Sequence, residues 1–383
     1  VREYLLVLLI AAGTTYLLAG LCRRIAVRMG ALAKVRTRDV HTEPIPYFGG
    51  VAMFGGLAVA LLVATNMPFL GRFATVAHDA SAVVWASLII CAIGVLDDMY
   101  DMPAIVKLGG QVLAAGVAVL GGVRFFWIPL PNGGLFSPDD ITAIAVTVIV
   151  IVVCVNAVNF VDGLDGLAAG VVAIGSGAFF SYTYVLAYDQ QLVRATTASL
   201  ITVATCGIAI GFLFHNFHPA KMFMGDSGSM LLGLLMALST VSFTGQLDHA
   251  ALSEGTDAVP VLLPILLPVA ALALPLLDLL LAWLRRTWNG QSPFTADKQH
   301  LHHRLLARGH SHWRAVLLMY AWTAVLSVGV VAISLQHRSA AVWVVAVAVV
   351  LVGVLTLWPV RMAPSRIGGA EADVVDRGLD GDG

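Results

Sequence analysis

Four stretches of this 383-residue chain gather acidic, amide, histidine and basic side chains at short intervals within otherwise apolar sequence. The first is Val95-Leu96-Asp97-Asp98-Met99-Tyr100-Asp101-Met102-Pro103. A helix continued to the proline would place Asp97 and Asp101 (i, i+4), and Asp98 and Asp101 (i, i+3), on a shared face. Pro103 disfavours helix at Met102, so the acidic turn sits where the helix opens. Three carboxylates at a helix C-terminus, where the dipole already disfavours negative charge, need a cation to offset them. A solvated acidic loop competes with this reading. Charge at the lip of an apolar span is functional by default, so a cation-binding or base role is expected.

The second stretch is Asn156-Ala157-Val158-Asn159-Phe160-Val161-Asp162-Gly163-Leu164-Asp165-Gly166-Leu167. Its four amide or carboxylate side chains recur every third residue, and on a helix they would fan over half a turn. Gly163 and Gly166 let the backbone leave the helix and approach a ligand. Asn offers donor and acceptor and Asp offers hard oxygen, which suits Mg²⁺ and phosphate-linked ligands. The third stretch runs from His215-Asn216-Phe217-His218-Pro219 through Lys221 to Phe223-Met224-Gly225-Asp226-Ser227-Gly228-Ser229. Gly225 and Gly228 permit a tight turn, and Ser227 or Ser229 can cap the helix that follows. Such a turn suits an anion, while Asp226 suits a metal. An ordinary loop-to-helix start would read the same way.

The fourth stretch holds Arg285-Arg286, Asp297-Lys298 and His300-Leu301-His302-His303-Arg304. Histidine ligates metals or carries protons, while Arg and Lys hold phosphate. No cysteine is nearby, so phosphate or substrate contact is favoured over zinc, and Mg²⁺ over Zn²⁺. A basic interfacial helix on anionic lipid is the bland alternative.

The elements that must position these groups are membrane helices. The chain is 59% hydrophobic and 12% charged, with a mean hydropathy of +0.88 and a net charge of −1. Soluble domains carry about 25% charged residues, so a soluble globule, a disordered chain and a coiled coil are all excluded. About eleven apolar runs have the length that crosses a bilayer as a helix. They are placed near 4–22, 48–66, 80–96, 108–126, 141–157, 167–187, 195–214, 229–246, 259–284, 314–335 and 340–360. Arg2 precedes the first run, but Cys22-Arg23-Arg24 ends it without a cleavage pattern, so it reads as a retained helix and not a signal peptide. Cys22, Cys91, Cys154 and Cys206 read as small buried residues. Residues 1–360 form one transmembrane domain, and the polar tail 361–383 is expected to be disordered.

Loops after odd-numbered spans, with the tail, hold all of the 22 Lys and Arg residues except Arg2, Arg72, Arg124, Arg194 and Arg338. The positive-inside rule then places the N-terminus outside and the C-terminus in the cytoplasm. All four polar stretches fall on the cytoplasmic side by the same parity. His78, His249 and His337 read as solvated residues of outer loops. Together the motifs describe a cytoplasmic-facing, metal- and phosphate-competent site walled by apolar helices. A soluble nucleotide-activated substrate could enter from the cytoplasm and a lipid substrate sideways. No P-loop is present, which disfavours transport driven by nucleotide hydrolysis.

From the first loop to about Arg308 the chain resembles the polyprenyl-phosphate N-acetylhexosamine-1-phosphate transferases. The matching pieces are Asp97-Asp98-x-x-Asp101, Asn156-x-x-Asn159-x-x-Asp162-Gly163-x-Asp165-Gly166, Phe223-Met224-Gly225-Asp226-Ser227-Gly228-Ser229 and His300-x-His302-His303. The resemblance implies Mg²⁺-dependent transfer, with Mn²⁺ as a substitute, of a sugar 1-phosphate from a UDP-sugar to a polyprenyl phosphate, releasing UMP. It makes Asp226 the Mg²⁺ ligand, with Asn159. Asp97 and Asp98, with Asp101 in the same catalytic motif, would position or deprotonate the lipid phosphate that attacks the sugar-bearing phosphorus. Asp162 and Phe223 fall on the uridine side, Phe223 by stacking. His300, His302 and His303, with Arg285 or Arg286, would contact pyrophosphate and sugar. Lys107 and Lys221 would be phosphate contacts, and Asn156, Asp165 and Asn216 complete the substrate-binding set.

Leu301 interrupts the histidine run, as in the bacterial GlcNAc-1-phosphate branch, so UDP-GlcNAc is expected as donor ahead of UDP-MurNAc-pentapeptide. Other UDP-N-acetylhexosamines stay open. The expected partners are UDP-GlcNAc, undecaprenyl or decaprenyl phosphate and membrane lipid, with no nucleic acid, and a homodimer is left open. A secondary transporter is the alternative from another class, but only Asp278 lies deep in a span and no half-to-half repeat stands out. A scaffold without chemistry would not need four acidic or histidine motifs on one face.

Overall fold

A computed structural model of the chain describes residues 1–33, 44–129, 135–189, 193–244, 272–288, 309–336 and 339–358, with isolated positions between them. Apolar runs become helices because a backbone in lipid must satisfy its own hydrogen bonds. Among the described residues the helices are α1 (Arg2–Met29), α2 (Gly49–Ala64), α3 (Ala74–Tyr100), α4 (Ala104–Leu120), α5 (Asp140–Val161) and α6 (Leu167–Asp189). They continue with α7 (Val193–Asn216), α8 (Gly225–Thr244), α9 (Ala273–Trp288), α10 (His312–Gln336) and α11 (Ser339–Leu357). A two-residue antiparallel pair, β1 (Ile128–Pro129) and β2 (Leu135–Phe136), lies between α4 and α5.

Eight of these helices are long and apolar enough to cross a membrane, namely α1, α3, α5, α6, α7, α8, α10 and α11. Two more, α2 and α4, are apolar but shorter. Within the run expected at 259–284, a continuous helix is described from Ala273, and the tail 361–383 lies outside the described residues. The architecture is that of an all-helical polytopic membrane protein. His78, expected in an outer loop, instead lies in the opening turns of α3, which begins six residues before the apolar run. Polar residues at a helix end extend it past the stretch that hydropathy detects.

The innermost helix is α8. Its most apolar 18-residue window is completely buried, and it packs against α2, α3, α5 and α7. Around it, α1 lies against α2 and α7, α6 against α7 and α10, and α11 against α10 at the edge. The outer faces are apolar, with Leu5, Leu9 and Leu17 on α1 and Val344, Val347 and Leu351 on α11 exposed. In water that surface would be unstable, whereas in lipid it is the expected solvent contact.

The helices alternate in direction. As a result the C-terminal ends of α1, α3, α5 and α7 meet the N-terminal ends of α2, α4, α6, α8 and α10 at one end of the bundle. Close approach there depends on two missing side chains. A Cβ on Gly94 of α3 would lie 2.2 Å from the Ser227 Cα, and one on Gly50 of α2 would lie 2.3 Å from the Gly228 backbone N. Both would strike backbone, so α2, α3 and the start of α8 touch only because these positions are glycine.

Candidate active site

The polar stretches meet at this end, and helix α8 organises them. Its first backbone N–H groups need acceptors, and a carboxylate from another helix supplies them. Asp98, in the last turn of α3, accepts the Asp226 N–H at 2.8 Å and the Ser227 N–H at 3.4 Å. The Ser227 hydroxyl donates to the same carboxylate at 3.1 Å and to the Met224 carbonyl at 3.1 Å. The anion that the turn was expected to hold is thus the chain's own Asp98. The segment before α2 also fastens the turn, because Gly49 and Gly50 N–H donate to the Phe223 and Met224 carbonyls at 3.1 and 3.0 Å.

A cation then joins three helices. Lys107, in the first turn of α4, donates to Asp97 Oδ2 at 3.0 Å and also contacts the Asp226 carboxylate. Asp97 accepts the Met102 N–H at 2.8 Å through its other oxygen. From α5, the Asn159 amide donates to Asp226 Oδ1 and to Ser229 Oγ, each at 2.8 Å. Asp97, Lys107, Asn159 and Asp226 therefore form one partly buried cluster at the helix tips. The Lys107 ammonium shows that a positive charge is accommodated between Asp97 and Asp226. Carboxylate oxygens in that position are the hard donors that Mg²⁺ takes, and Asn159, whose amide nitrogen now faces Asp226, would turn its oxygen to join them.

One turn deeper, Gln111 of α4 and Asn156 of α5 form a reciprocal amide pair. Asn156 Nδ2 donates to Gln111 Oε1 at 2.7 Å, and Gln111 Nε2 donates to Asn156 Oδ1 at 3.4 Å. Gln111 is buried, and a lone amide inside an apolar run was the only signal that could have marked it. The pair sets the register that brings Lys107 and Asn159 to the same carboxylate.

The four residues of the second stretch do not share one role. Asn156 faces Gln111 and Asn159 faces Asp226, while Asp162 follows the last residue of α5 as its C-cap. Burial, with Asp98 and Asp165 nearby, pushes the Asp162 carboxyl up to about 7. Asp165 is buried in the turn before α6 and accepts from His218 Nδ1 at 2.8 Å and from the Ala220 N–H at 3.1 Å. Asn216, at the end of α7, is buried and bridges backbone, accepting from Gly166 N at 3.0 Å and donating to the Met222 carbonyl at 3.0 Å. That makes Asn216 a fastener of the two loops.

Phe223 is partly buried with the Tyr47 ring 6.4 Å away, a neighbour that sequence reasoning missed. Lys221 is exposed beside it. Arg286, near the end of α9, lies with its guanidinium 6.0 Å over the Phe160 ring, which brings α9 to the end of α5, and Arg285 is its partly buried neighbour. Asp101 departs from expectation. Helix α3 stops at Tyr100, and Asp101 takes a left-handed conformation (φ 54°) as its C-cap, so it does not share a helix face with Asp97. Its side chain is exposed and joins none of the described hydrogen bonds of the cluster. The physical cause is Pro103, which disfavours helix just before it and ends α3 one residue short of the i, i+4 pairing. His300, His302 and His303 lie outside the described residues.

Comparison with known proteins adds an independent line. Residues 80–244, which hold three of the four polar stretches, match the model of glycosyl transferase family 4. The chain is 42% identical over 361 residues to a decaprenyl-phosphate N-acetylglucosaminephosphotransferase of Mycolicibacterium smegmatis, covering 94% of this chain and 89% of that protein. The protein of the same name from Mycobacterium tuberculosis shows the same identity and coverage. A probable undecaprenyl-phosphate N-acetylglucosaminyl 1-phosphate transferase of Bacillus subtilis is 33% identical over 330 residues, with 86% of this chain and 84% of that protein covered.

Proposed function

The chain belongs to glycosyl transferase family 4, and from that premise we propose that it transfers GlcNAc-1-phosphate from UDP-GlcNAc to a polyprenyl phosphate. The products are polyprenyl-diphospho-GlcNAc and UMP. Relatives named for decaprenyl and undecaprenyl phosphate support the lipid acceptor and the sugar. The observation that carries the reading is the convergence of Asp97, Lys107, Asn159 and Asp226 at the tips of α3, α4, α5 and α8. A secondary transporter would hold its ionisable cluster near mid-membrane, and here the cluster lies where helices end.

In this reaction an oxygen of the lipid phosphate attacks the sugar-bearing phosphorus, and the bond to the UMP oxygen breaks. Asp226 and Asn159 would hold Mg²⁺, which supplies charge stabilisation to the transferring phosphoryl group. Lys107 contributes positive charge from the chain itself, the kind of preorganised electrostatic term that dominates such transfers. Asp97 holds Lys107 in place and would position or deprotonate the lipid phosphate. Asp98 is committed to the start of α8 and acts as a positioning residue for Asp226. Phe223 and Tyr47 offer ring faces for the uracil, and Asp162 would contact the uridine. Arg285, Arg286, His300, His302 and His303 would contact the pyrophosphate and sugar. The surplus of Lys and Arg in the loops at this end supports a cytoplasmic active site, an outer N-terminus and about eleven spans.

The test is purified protein in detergent or nanodiscs with UDP-GlcNAc, polyprenyl phosphate and Mg²⁺, scored for UMP and lipid-linked product. Asp226→Ala is expected to abolish turnover, and chelation with EDTA to do so reversibly. Folded protein that forms no product with any UDP-N-acetylhexosamine would overturn the reading. Lys221→Cys, in a chain lacking its four cysteines, should react with an impermeant maleimide only from the cytoplasmic side.

A further inference from the structure

A second group of ligand-type side chains lies beside the first cluster. Asp165 belongs to the turn between α5 and α6, His218 to the segment between α7 and α8, and His312 is the first residue of α10. Each offers one ligand atom, and these atoms all lie within 4.8 Å of one another. The His218 and His312 rings are stacked, with centroids 4.2 Å apart and planes inclined by 24°. We propose that Asp165, His218 and His312 form a site for a borderline divalent cation, Zn²⁺ in preference, that pins α10 to the two loops of the active end. The site goes beyond the transfer reaction, with which it shares Asp165.

The donor set selects the ion. Two imidazoles and one carboxylate, with a remaining position for water, make a zinc-type set. Imidazole suits Zn²⁺, Co²⁺ and Ni²⁺, whereas the oxygen donors around Asp226 suit Mg²⁺. Tetrahedral bonds of 2.0–2.1 Å put ligand atoms about 3.3 Å apart, so binding draws the three groups together and turns the stacked imidazoles out of parallel to aim a nitrogen of each at one ion. His218 Nδ1 already lies 2.8 Å from Asp165 Oδ2.

The surroundings hold the ligands in register. The Ala220 N–H donates to Asp165 Oδ2 at 3.1 Å and orients the carboxylate, as outer-shell donors do at metal sites. Phe217 and Trp313, each adjacent in sequence to one of the histidines, meet edge-on with centroids 4.7 Å apart. Two successive side chains of the His218 segment therefore pair with two of α10. Sequence spacing could not reveal the set, because its members are 53 and 94 residues apart in order.

The experiment uses full-length protein carrying a non-histidine tag, stripped with chelator, dialysed against Zn²⁺ and assayed for metal by mass spectrometry. The wild type should retain about one Zn²⁺ per chain, and Co²⁺ loading should give the visible absorption of a low-coordinate nitrogen-oxygen site. Its melting temperature should rise with Zn²⁺ even when Mg²⁺ already saturates the Asp226 site. His218→Ala/His312→Ala should lose the metal, the Co²⁺ spectrum and the thermal shift, while His300→Ala/His302→Ala/His303→Ala should keep all three. If the double variant does not fold, His312→Gln serves in its place. A stripped wild type that takes up no Zn²⁺, or a folded His218/His312 variant that retains it, would overturn the site.

Discussion

The Asp98 carboxylate, at the end of one helix, caps the N-terminus of another through Asp226, 128 residues later. It accepts the Asp226 N–H at 2.8 Å, so the residue expected to bind metal is held through its own backbone by a second aspartate. The two acids of the sequence motifs are thus not equivalent, because one is anchored and the other is aimed.

Asp98→Ala should cost about 0.5–2 kcal/mol of stability, the usual loss of a cap. Its effect on turnover should be larger, about 100-fold, since small displacements of reacting groups are that expensive. Asp98→Asn keeps one acceptor oxygen and should fall between. Melting temperature and UMP release, measured on the same samples, separate the two effects. Wild-type turnover in a folded Asp98→Ala protein would refute the positioning role.

The amide pair Gln111 and Asn156 predicts a non-additive result. Gln111→Leu leaves the Asn156 oxygen without its Gln111 partner in a poorly hydrated place, while the nitrogen keeps the Val152 carbonyl at 2.8 Å, at a cost of about 1–3 kcal/mol. Gln111→Leu/Asn156→Leu removes both partners and should be less destabilised than the sum of the single changes. A double-mutant cycle on denaturation midpoints reads the coupling directly. Additive changes would mean that the pair does not set the α4–α5 register.

Gly94→Ala should disrupt packing out of proportion to one methyl group. The added Cβ would sit 2.2 Å from the Ser227 Cα, and the obstacle is backbone. Overpacking costs about 1–3 kcal/mol where side chains can yield, and more is expected here. Because the displaced segment is the start of α8, turnover should fall with stability. Gly109→Ala is the control, since nothing lies within 4 Å of its added carbon. Thermal melts of both variants decide the matter.

Asp162 predicts a pH dependence with a definite sign. Burial raises its folded pKa to about 7, against about 3.9 in an unfolded chain. The folded state therefore holds a proton that the unfolded state releases, and stability falls as pH rises through that window. The penalty is absent below about pH 4 and complete above about pH 7, on the order of a few kcal/mol. Asp162→Asn should melt higher than wild type at pH 8 and equally at pH 4. A constant difference across that range would refute the assignment.

Much of the fold is legible in hydropathy, because each helix here is built from an apolar run with its own backbone bonds satisfied internally. The ends are less legible. The first run reads as 4–22, yet α1 continues through Arg23, Arg24 and Arg28 to Met29. Helical hydrogen bonding persists beyond the lipid, where charge is no longer excluded. Asp101 shows the opposite error, since a proline two residues on ended the helix that would have aligned it with Asp97. Tyr47, Gln111 and His312 do not stand out because none belongs to a repeated motif, and an isolated polar residue has no spacing to betray it; His218 lies within the third stretch, but nothing local joins it to Asp165 or His312.

Composition and local pattern were enough to determine that this chain lives in a membrane, that its elements are helices, and which residue types could do chemistry. Those properties depend on the transfer of each segment between water and lipid, which a short window of sequence already contains. Only the tertiary structure decided that Asp98 serves α8, that Lys107 lies between Asp97 and Asp226, and that Asp165 meets two histidines from distant segments. Hydrogen bonds and ion pairs act over about 3 Å, so their partners are chosen by how helices cross, and glycines such as Gly50 and Gly94 set those crossings.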